Sequence, residues 1–136
     1  MKPGRWTMTP QIFTYDEAQG LLPEVRRVTE THYRRLRELR EQLEQLRHPG
    51  DSSGSRHTAK LNEWMNAVIT QWSEDIAALG ALPKGLWTVD FDSGRGYYFC
   101  WTYDEERLSY YHRYEEGFIG RQPLTDREKN PSDLLN

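Results

Sequence analysis

The residues best suited to chemistry are concentrated in one stretch of the chain, from Gly85 to Leu124. A carboxylate beside an imidazole can fix the imidazole's tautomer and transfer protons, and a guanidinium binds carboxylates or phosphates through paired hydrogen bonds. The same stretch holds most of the aromatic rings and the only cysteine. The candidates for a ligand-binding or partner-binding site are Asp90, Trp101, Glu105, Tyr110, His112 and Arg121.

Alternation of apolar and polar residues predicts that three short strands carry these candidates. Aromatic and β-branched residues suit a pleated surface, and the segment Asp92 to Gly96 is a strong turn signal. A second turn is predicted from Asp104 to Arg107. The three strands, over residues 86–92, 97–103 and 108–114, then form an antiparallel β-meander spanning residues 86–114.

The predicted pairing sorts the side chains onto two faces, because successive residues of a strand point in opposite directions. We predict that Asp92 pairs with Tyr97, and Tyr103 with Leu108. The face expected against the helices carries Trp87, Val89, Phe91, Cys100 and Tyr111. The opposite face is expected to be an aromatic floor that carries Asp90, Phe99, Trp101, Tyr110 and His112. A slip of one residue would exchange the faces.

This pairing argues against a metal site that combines Cys100, Glu105 and His112, although all three are metal-ligand types. It places the thiol and the imidazole on opposite faces, and the chain contains no HExxH or CxxC pattern. A Cys–His nucleophilic pair is disfavoured for the same reason. We therefore expect a buried, inert Cys100, no cofactor, and at most a metal site formed by Glu105 and His112.

Two interpretations remain open for the polar groups of the open face. Asp90 and His112 form either an acid–base pair or a structural hydrogen bond within an interface. The Gly-Phe-Ile-Gly-Arg segment, residues 117–121, either brings amide groups and Arg121 onto an anion or pairs Arg121 with Glu105, Glu115 or Asp90.

Helical periodicity predicts the scaffold under the strands. A capping box at Thr14 begins a short helix that Gly20 and Pro23 interrupt, and a long helix runs from Pro23 to Arg47. A second long helix is predicted from Thr58 to Leu79. The predicted fold class is α+β, with a long antiparallel helical hairpin and a short N-terminal helix packed on a three-stranded antiparallel β-meander.

The predicted organisation is a single α+β domain over residues 13–124. It contains the helices over residues 14–80 with a flexible loop at 48–57, the meander at 86–114 and a glycine–arginine loop at 115–124. A leader over residues 1–12 precedes the domain, and a polar tail over residues 125–136 follows it. The length of 136 residues is typical of one domain.

Composition limits the partners. A net charge of −3 argues against general nucleic-acid binding, which needs a basic surface. We expect no membrane span, and the single cysteine favours a cytoplasmic location. A small sheet with open edges and surplus aromatic surface favours a homodimer, with a protein partner or small anionic ligand as the alternative.

Two blocks of residues resemble a known family. Phe13 to Val25 reads FTYDEAQGLLPEV, and the second block, Gly85 to Leu124, contains Val-Asp-Phe, Cys-Trp, Glu, His and Gly-Phe-x-Gly-Arg-Gln-Pro-Leu in that order. Both are similar to the bacterial family called domain of unknown function 2203. The resemblance implies shared roles for Asp90, Cys100, Trp101, Glu105, His112, Gly117, Gly120 and Arg121. It implies no activity, because the family has no assigned function.

Two functional hypotheses follow. The first is a non-catalytic binding or assembly module that uses the aromatic sheet face and the arginine loop. The alternative is a small metal-assisted or acid–base hydrolase that uses Asp90, Glu105, His112 and Arg121. Proximity of the thiol to the imidazole would overturn the predicted faces and the preference for the first hypothesis.

Overall fold

The computed structural model describes residues 11–46 and 54–131. Within these ranges the chain forms two long helices followed by a sheet and a short helix, which confirms the predicted α+β class. The predicted leader up to residue 10 and loop residues 48–53 lie outside the described residues. The elements are α1 (Tyr15–Gln45), α2 (Gly54–Ala78), β1 (Leu82–Pro83), β2 (Thr88–Asp92), β3 (Tyr97–Thr102), β4 (Tyr110–Arg113), a 3₁₀ turn (Phe118–Gly120), β5 (Gln122–Pro123) and α3 (Asp126–Lys129).

Helix α1 begins as predicted but is not interrupted. The side chain of Thr14 accepts the Glu17 amide, and the Glu17 side chain accepts the Thr14 amide, so the capping box is present. The predicted short N-terminal helix is wrong, because α1 continues through Gly20 and Pro23 to Gln45. Pro23 is exposed and lies between buried residues of the hydrophobic core, whose burial offsets the lost hydrogen bond. These core residues are Ala18, Leu22 and Val25.

Gly20 gives a first testable prediction. It is exposed in the second turn of α1, and a Cβ atom added there would meet no atom within 4 Å. We expect Gly20→Ala to raise the free energy of unfolding by about 1 kcal/mol, measured by urea denaturation, because alanine is the better helix former. The control is Gly80→Ala, where φ is +93° and a Cβ atom would lie 2.9 Å from Gln11. That change should destabilise, and the same sign for both variants would contradict the prediction.

The two long helices pack against each other through a mostly apolar seam. The Nε1–H of Trp72 in α2 donates to the hydroxyl of Thr29 in α1 at 2.9 Å, in a fully buried position. Trp64 of α2 is 45% exposed and does not belong to the core. The helical residues that are buried at or near the seam are Val25, Thr29, Leu36, Leu39, Leu61, Trp72 and Ile76.

Within the described ranges the sheet has five antiparallel strands in the order β1-β2-β3-β4-β5, two more than predicted. The three predicted strands correspond to β2, β3 and β4. Each edge strand is two residues long and includes a proline, Pro83 in β1 and Pro123 in β5. A proline cannot donate a ladder hydrogen bond and blunts a sheet edge. Open edges therefore do not support the predicted homodimer.

The predicted register is wrong for β3. Asp92 pairs with Tyr98 instead of Tyr97, and Cys100 pairs with Tyr110 instead of Tyr111. The reason is the first turn, where the Ser93 amide donates to the Tyr97 carbonyl at 3.1 Å and so extends the ladder by one pair. The chain then reverses over three residues, 94–96, of which both glycines have positive φ. A one-residue displacement of β3 moves all of its side chains to the opposite face.

The displacement exchanges the faces of β3 but leaves β2 and β4 as predicted. Phe99 and Trp101 now lie in the core with Val89 and Phe91. Cys100 lies on the other face, between Asp90 of β2 and Tyr110 of β4. The predicted aromatic floor therefore does not exist in that form, and its place is taken by a cluster of polar side chains.

The segment that follows the sheet begins in an ordered helix. Thr125 and Glu128 form a second capping box at α3, and the Tyr97 hydroxyl donates to the Glu128 carbonyl at 2.7 Å. Residues 132–136 lie outside the described residues. Among the helices that the structure describes, none is both long and apolar enough to cross a bilayer.

Candidate functional site

Asp90, Cys100 and His112 form a compact cluster on the face of the sheet away from the helices. One ligand-type atom from each lies within 4.8 Å of the other two. The three side chains come from the adjacent strands β2, β3 and β4, and each is at most 4% exposed. Side chains on one face of paired strands are close enough to interact directly or diagonally. The cluster is thus a direct consequence of the register of β3.

The hydrogen bonds of His112 determine which nitrogen is available. Its Nδ1 lies 3.0 Å from the carbonyl oxygen of Arg113, which can only accept, so Nδ1 carries a proton. Its Nε2 lies 2.9 Å from Oδ2 of Asp90. Asp90 and His112 therefore share the proton between Oδ2 and Nε2. An imidazole held in this way presents the Nε2 lone pair whenever that proton leaves.

Asp90 is a buried acid with incomplete hydrogen bonding. Its Oδ1 has no hydrogen-bond partner in the described part of the chain. Burial raises the pKa of the Asp90 carboxyl, against the opposing influence of His112. The Lys84 ammonium lies 4.0 Å from Oδ2 and is partly exposed. A buried acceptor without a partner is costly, so it indicates a position suited to a cation or a donor from outside the chain.

Cys100 is fully buried in surroundings that disfavour its thiolate. Burial, with a contribution from the neighbouring Asp90, raises the pKa of the Cys100 thiol to about 12. The nearest cationic donor is Nη1 of Arg121, 4.0 Å from the sulfur. The sequence-based expectation of an inert thiol agrees with this environment. The expected separation from His112, however, is wrong.

Arg121 is fully engaged within the protein. Its guanidinium donates to Oε1 and Oε2 of Glu105 at 3.2 and 2.7 Å, and it lies between the rings of Tyr110 and Phe118 at 4.1 and 4.2 Å. Of the two interpretations for this arginine, the structure shows the ion pair. The pair anchors the loop to the turn that follows β3. Glu105 therefore lies on Arg121 and does not combine with His112 in a metal-ligand cluster.

Trp101 is not on the open face. It is fully buried on the helix side of the sheet, and its Nε1–H donates to the Glu105 carbonyl at 2.8 Å. The same carbonyl accepts from Arg26 of α1 at 2.8 Å. Trp101 thus positions the turn that carries Glu105 from within the core. Of the six sequence candidates, the structure brings only Asp90 and His112 into the cluster.

The cluster forms the floor of a pocket of about 290 Å³. Its walls combine polar residues from the sheet with residues of the loop after β4. Sequence reasoning missed Cys100 and Lys84 as members of this site. For Cys100, the two turn glycines at 94 and 96 were the available signal, since a three-residue hairpin loop needs glycine where φ is positive. The pocket is lined by Lys84, Gly85, Leu86, Thr88, Asp90, Tyr98, Cys100, His112, Tyr114, Glu116, Gly117 and Phe118.

A larger cavity of about 460 Å³ lies at the start of α1. Its lining includes the capping residues Thr14 and Glu17, which already bond each other, and Tyr97, which donates to Glu128. These three polar side chains are thus occupied by structural contacts. The smaller pocket is the better candidate, because it contains the buried cluster and the carboxylate oxygen without a partner.

The environment of Cys100 predicts very slow alkylation in the folded, metal-free protein. With a thiol pKa of about 12, the thiolate fraction at neutral pH is about a thousand-fold below that of an ordinary cysteine. We expect iodoacetamide to modify the folded protein at least that much more slowly than the protein in guanidinium chloride, as measured by mass spectrometry. Rapid modification of the folded protein would instead identify a reactive nucleophile.

The fold and the pocket define an α+β protein with a buried Asp–Cys–His cluster on the face of its sheet that is not covered by the helices. The chain belongs to the DUF2203 family, described as "Uncharacterized conserved protein", whose model matches residues 11–124. This confirms the family inferred from the two sequence blocks. No curated protein and no solved structure matches the chain.

Proposed function

We propose that this protein binds a divalent transition-metal ion, with zinc the best fit, and uses it for metal-assisted hydrolysis. The observation that carries the proposal is the convergence of Asp90, Cys100 and His112 at the floor of a pocket. A thiolate, an imidazole and a carboxylate are all zinc ligands. Three protein ligands leave the fourth position for water or substrate, as in catalytic zinc sites.

The local geometry suits a small cation with little rearrangement. Zinc bonds of about 2.0–2.3 Å place tetrahedral ligand atoms roughly 3.5 Å apart. Because the three ligand atoms lie within 4.8 Å of one another, their separations need to change by about 1.3 Å at most. The Nδ1–H of His112 already faces a backbone carbonyl, the usual outer contact of a metal-binding histidine. The ion would replace the proton between Nε2 and Asp90.

Two metal-free mechanisms fit less well. A Cys–His nucleophilic pair needs a thiol activated by the imidazole, whereas Nε2 of His112 is bonded to Asp90 and the pKa of the thiol is about 12. An acid–base pair needs a ring nitrogen that reaches the substrate. Both nitrogens of His112 are engaged, one by Arg113 and one by Asp90. Metal binding uses the same contacts without this conflict.

The test is metal analysis of protein purified without chelator, followed by reconstitution with cobalt(II). We expect one equivalent of zinc by mass spectrometry, a thiolate-to-cobalt absorption band, and a lower melting temperature after chelation. The zinc form should turn over p-nitrophenyl acetate faster than the chelated form. A protein that neither retains nor takes up these ions, and melts unchanged after chelation, would refute the proposal.

Homodimer formation is a second proposal, supported by the side chains at the 3₁₀ turn. Ile119 is 99% exposed and the neighbouring Phe118 is half exposed. Contiguous exposed apolar residues are typical of interaction surfaces. Light scattering should give the mass of a dimer for the parent chain and of a monomer for Ile119→Asp. Equal masses for both proteins would remove the support that this turn offers.

A cytoplasmic location is a further proposal. It is supported by the single free cysteine, since proteins of oxidising compartments more often carry paired cysteines.

A further inference from the structure

The pocket above the Asp–Cys–His cluster has a charged side and an apolar rim, and this asymmetry bears on its ligand. With a volume of about 290 Å³, it lies at the small end of ligand pockets, which measure roughly 300–1,000 Å³. A ligand of this size contacts the floor and the rim at the same time. Its two ends must therefore match two different surfaces.

Lys84 provides the charged side. It is the only lysine or arginine among the described residues that line the pocket. Its ammonium lies 4.0 Å from Asp90 and 4.9 Å from the ring centre of Tyr98, so it points toward the floor of the pocket. A metal ion bound to Asp90 would neutralise the negative charge of that carboxylate. The ammonium would then be available to an anionic group bound beside the metal.

Glu116, the one acid outside the cluster among the described residues that line the pocket, is hydrogen-bonded within the protein. Oε1 of Glu116 accepts the backbone N–H of Arg113 at 3.2 Å and so lies against the loop after β4. The fourth coordination position, which accepts an electron pair, would thus lie beside the Lys84 ammonium, the positive charge of the pocket. A carboxylate suits both groups, because its oxygens can coordinate zinc and can accept a charge-assisted hydrogen bond from the Lys84 ammonium.

The rim provides the apolar surface. Leu86, Tyr114 and Phe118 all line the pocket and are each between 42% and 50% exposed. Ligand binding is favoured when it removes large apolar side chains at the mouth of a pocket from water. We propose that the pocket binds a small organic carboxylate with an apolar body, the carboxylate at the metal and Lys84 and the body against Leu86, Tyr114 and Phe118. This inference rests on the proposed metal site.

The test compares three probes on the cobalt-loaded protein. Phenylacetate has both features, acetate lacks the ring, and phenylacetamide lacks the charge. We expect phenylacetate to change the cobalt spectrum with a Kd about ten-fold or more below that of either other probe, since one charged hydrogen bond or one buried ring is worth at least that factor. Lys84→Gln should keep the cobalt spectrum and lose the preference for phenylacetate over phenylacetamide. Leu86→Ser should keep the spectrum and lose part of the preference for phenylacetate over acetate.

The outcomes separate the two proposals. A normal cobalt spectrum with equal affinities for the three probes would overturn the ligand class and leave the metal site standing. A chain that does not bind cobalt would overturn the metal site, and the same titration followed by tryptophan fluorescence on metal-free protein then decides the ligand. A Lys84-dependent preference for phenylacetate there would support the carboxylate, and its absence would overturn the carboxylate as well.

Discussion

Zinc affinity is expected to fall by about 100-fold or more when either Cys100 or His112 is replaced. Zinc sites with four protein ligands bind with apparent free energies of about 10–16 kcal/mol, so one ligand accounts for roughly 3 kcal/mol, which is about 100-fold in Kd. The effect should be large because Asp90 and the one remaining ligand would leave the coordination of the ion incomplete. Competition with a chromophoric chelator at constant pH measures the affinity directly.

The variants should be chosen so that folding and metal binding are separated. Cys100→Ser keeps the size of the side chain in a fully buried position, and His112→Gln keeps a polar group beside Asp90. Tyr98→Phe is the matched control, because Tyr98 lines the same pocket without being in the ligand cluster. Cys100→Ser should also lose the thiolate-to-cobalt band. Equal zinc affinity for Cys100→Ser and Tyr98→Phe would exclude the sulfur as a ligand.

The second large effect is expected at Trp72. This side chain is fully buried between the helices and the sheet, contacts the ring of Trp87 edge-on, and donates to Thr29. Replacement by alanine should lower the free energy of unfolding by about 3–5 kcal/mol, because it leaves a cavity in the core and an unpaired hydroxyl. Urea denaturation of the chelated protein measures this without a contribution from metal.

Trp64 provides the matched control in the same helix. It is the same residue type but 45% exposed, so Trp64→Ala should change stability by only about 0.5 kcal/mol. Thr29→Val separates the hydrogen bond from packing and should cost about 1 kcal/mol. Comparable losses for Trp64→Ala and Trp72→Ala would show that the helical pair is not packed as described.

The helices show how far sequence periodicity and capping can predict. The capping box at Thr14 lies where the sequence predicted it, and α2 ends at Ala78, one residue before the predicted Leu79. The predicted interruption of the helix at Pro23 was wrong. Local helix propensity favours an interruption at proline, but burial of the surrounding apolar face keeps the helix continuous. Propensity acts within a turn of helix, whereas burial depends on the sheet that packs against it. A rule based on neighbouring residues alone therefore cannot weigh helix propensity against burial.

The edge strands show a different limit. Leu82–Pro83 and Gln122–Pro123 are too short to have a period, and their prolines argue against strand structure. They pair with β2 and β4 because those strands offer unpaired backbone groups at their outer sides.

The polar residues of the site also differ in how far the sequence predicted their positions. Asp90 and His112 were predicted on one face, whereas Lys84 joins them from a segment without any pattern.

The order of residues alone determined the class of the fold, the helical pair and the strands, because side-chain periods of 3.6 and 2 are properties of local backbone geometry. Only the tertiary structure decided the side on which Cys100 lies. A strand with apolar residues at nearly every position satisfies alternation in either register, and one additional pair at Ser93 and Tyr97 selects between them. The selected register buries Phe99 and Trp101 against the helices and places the thiol beside Asp90 and His112.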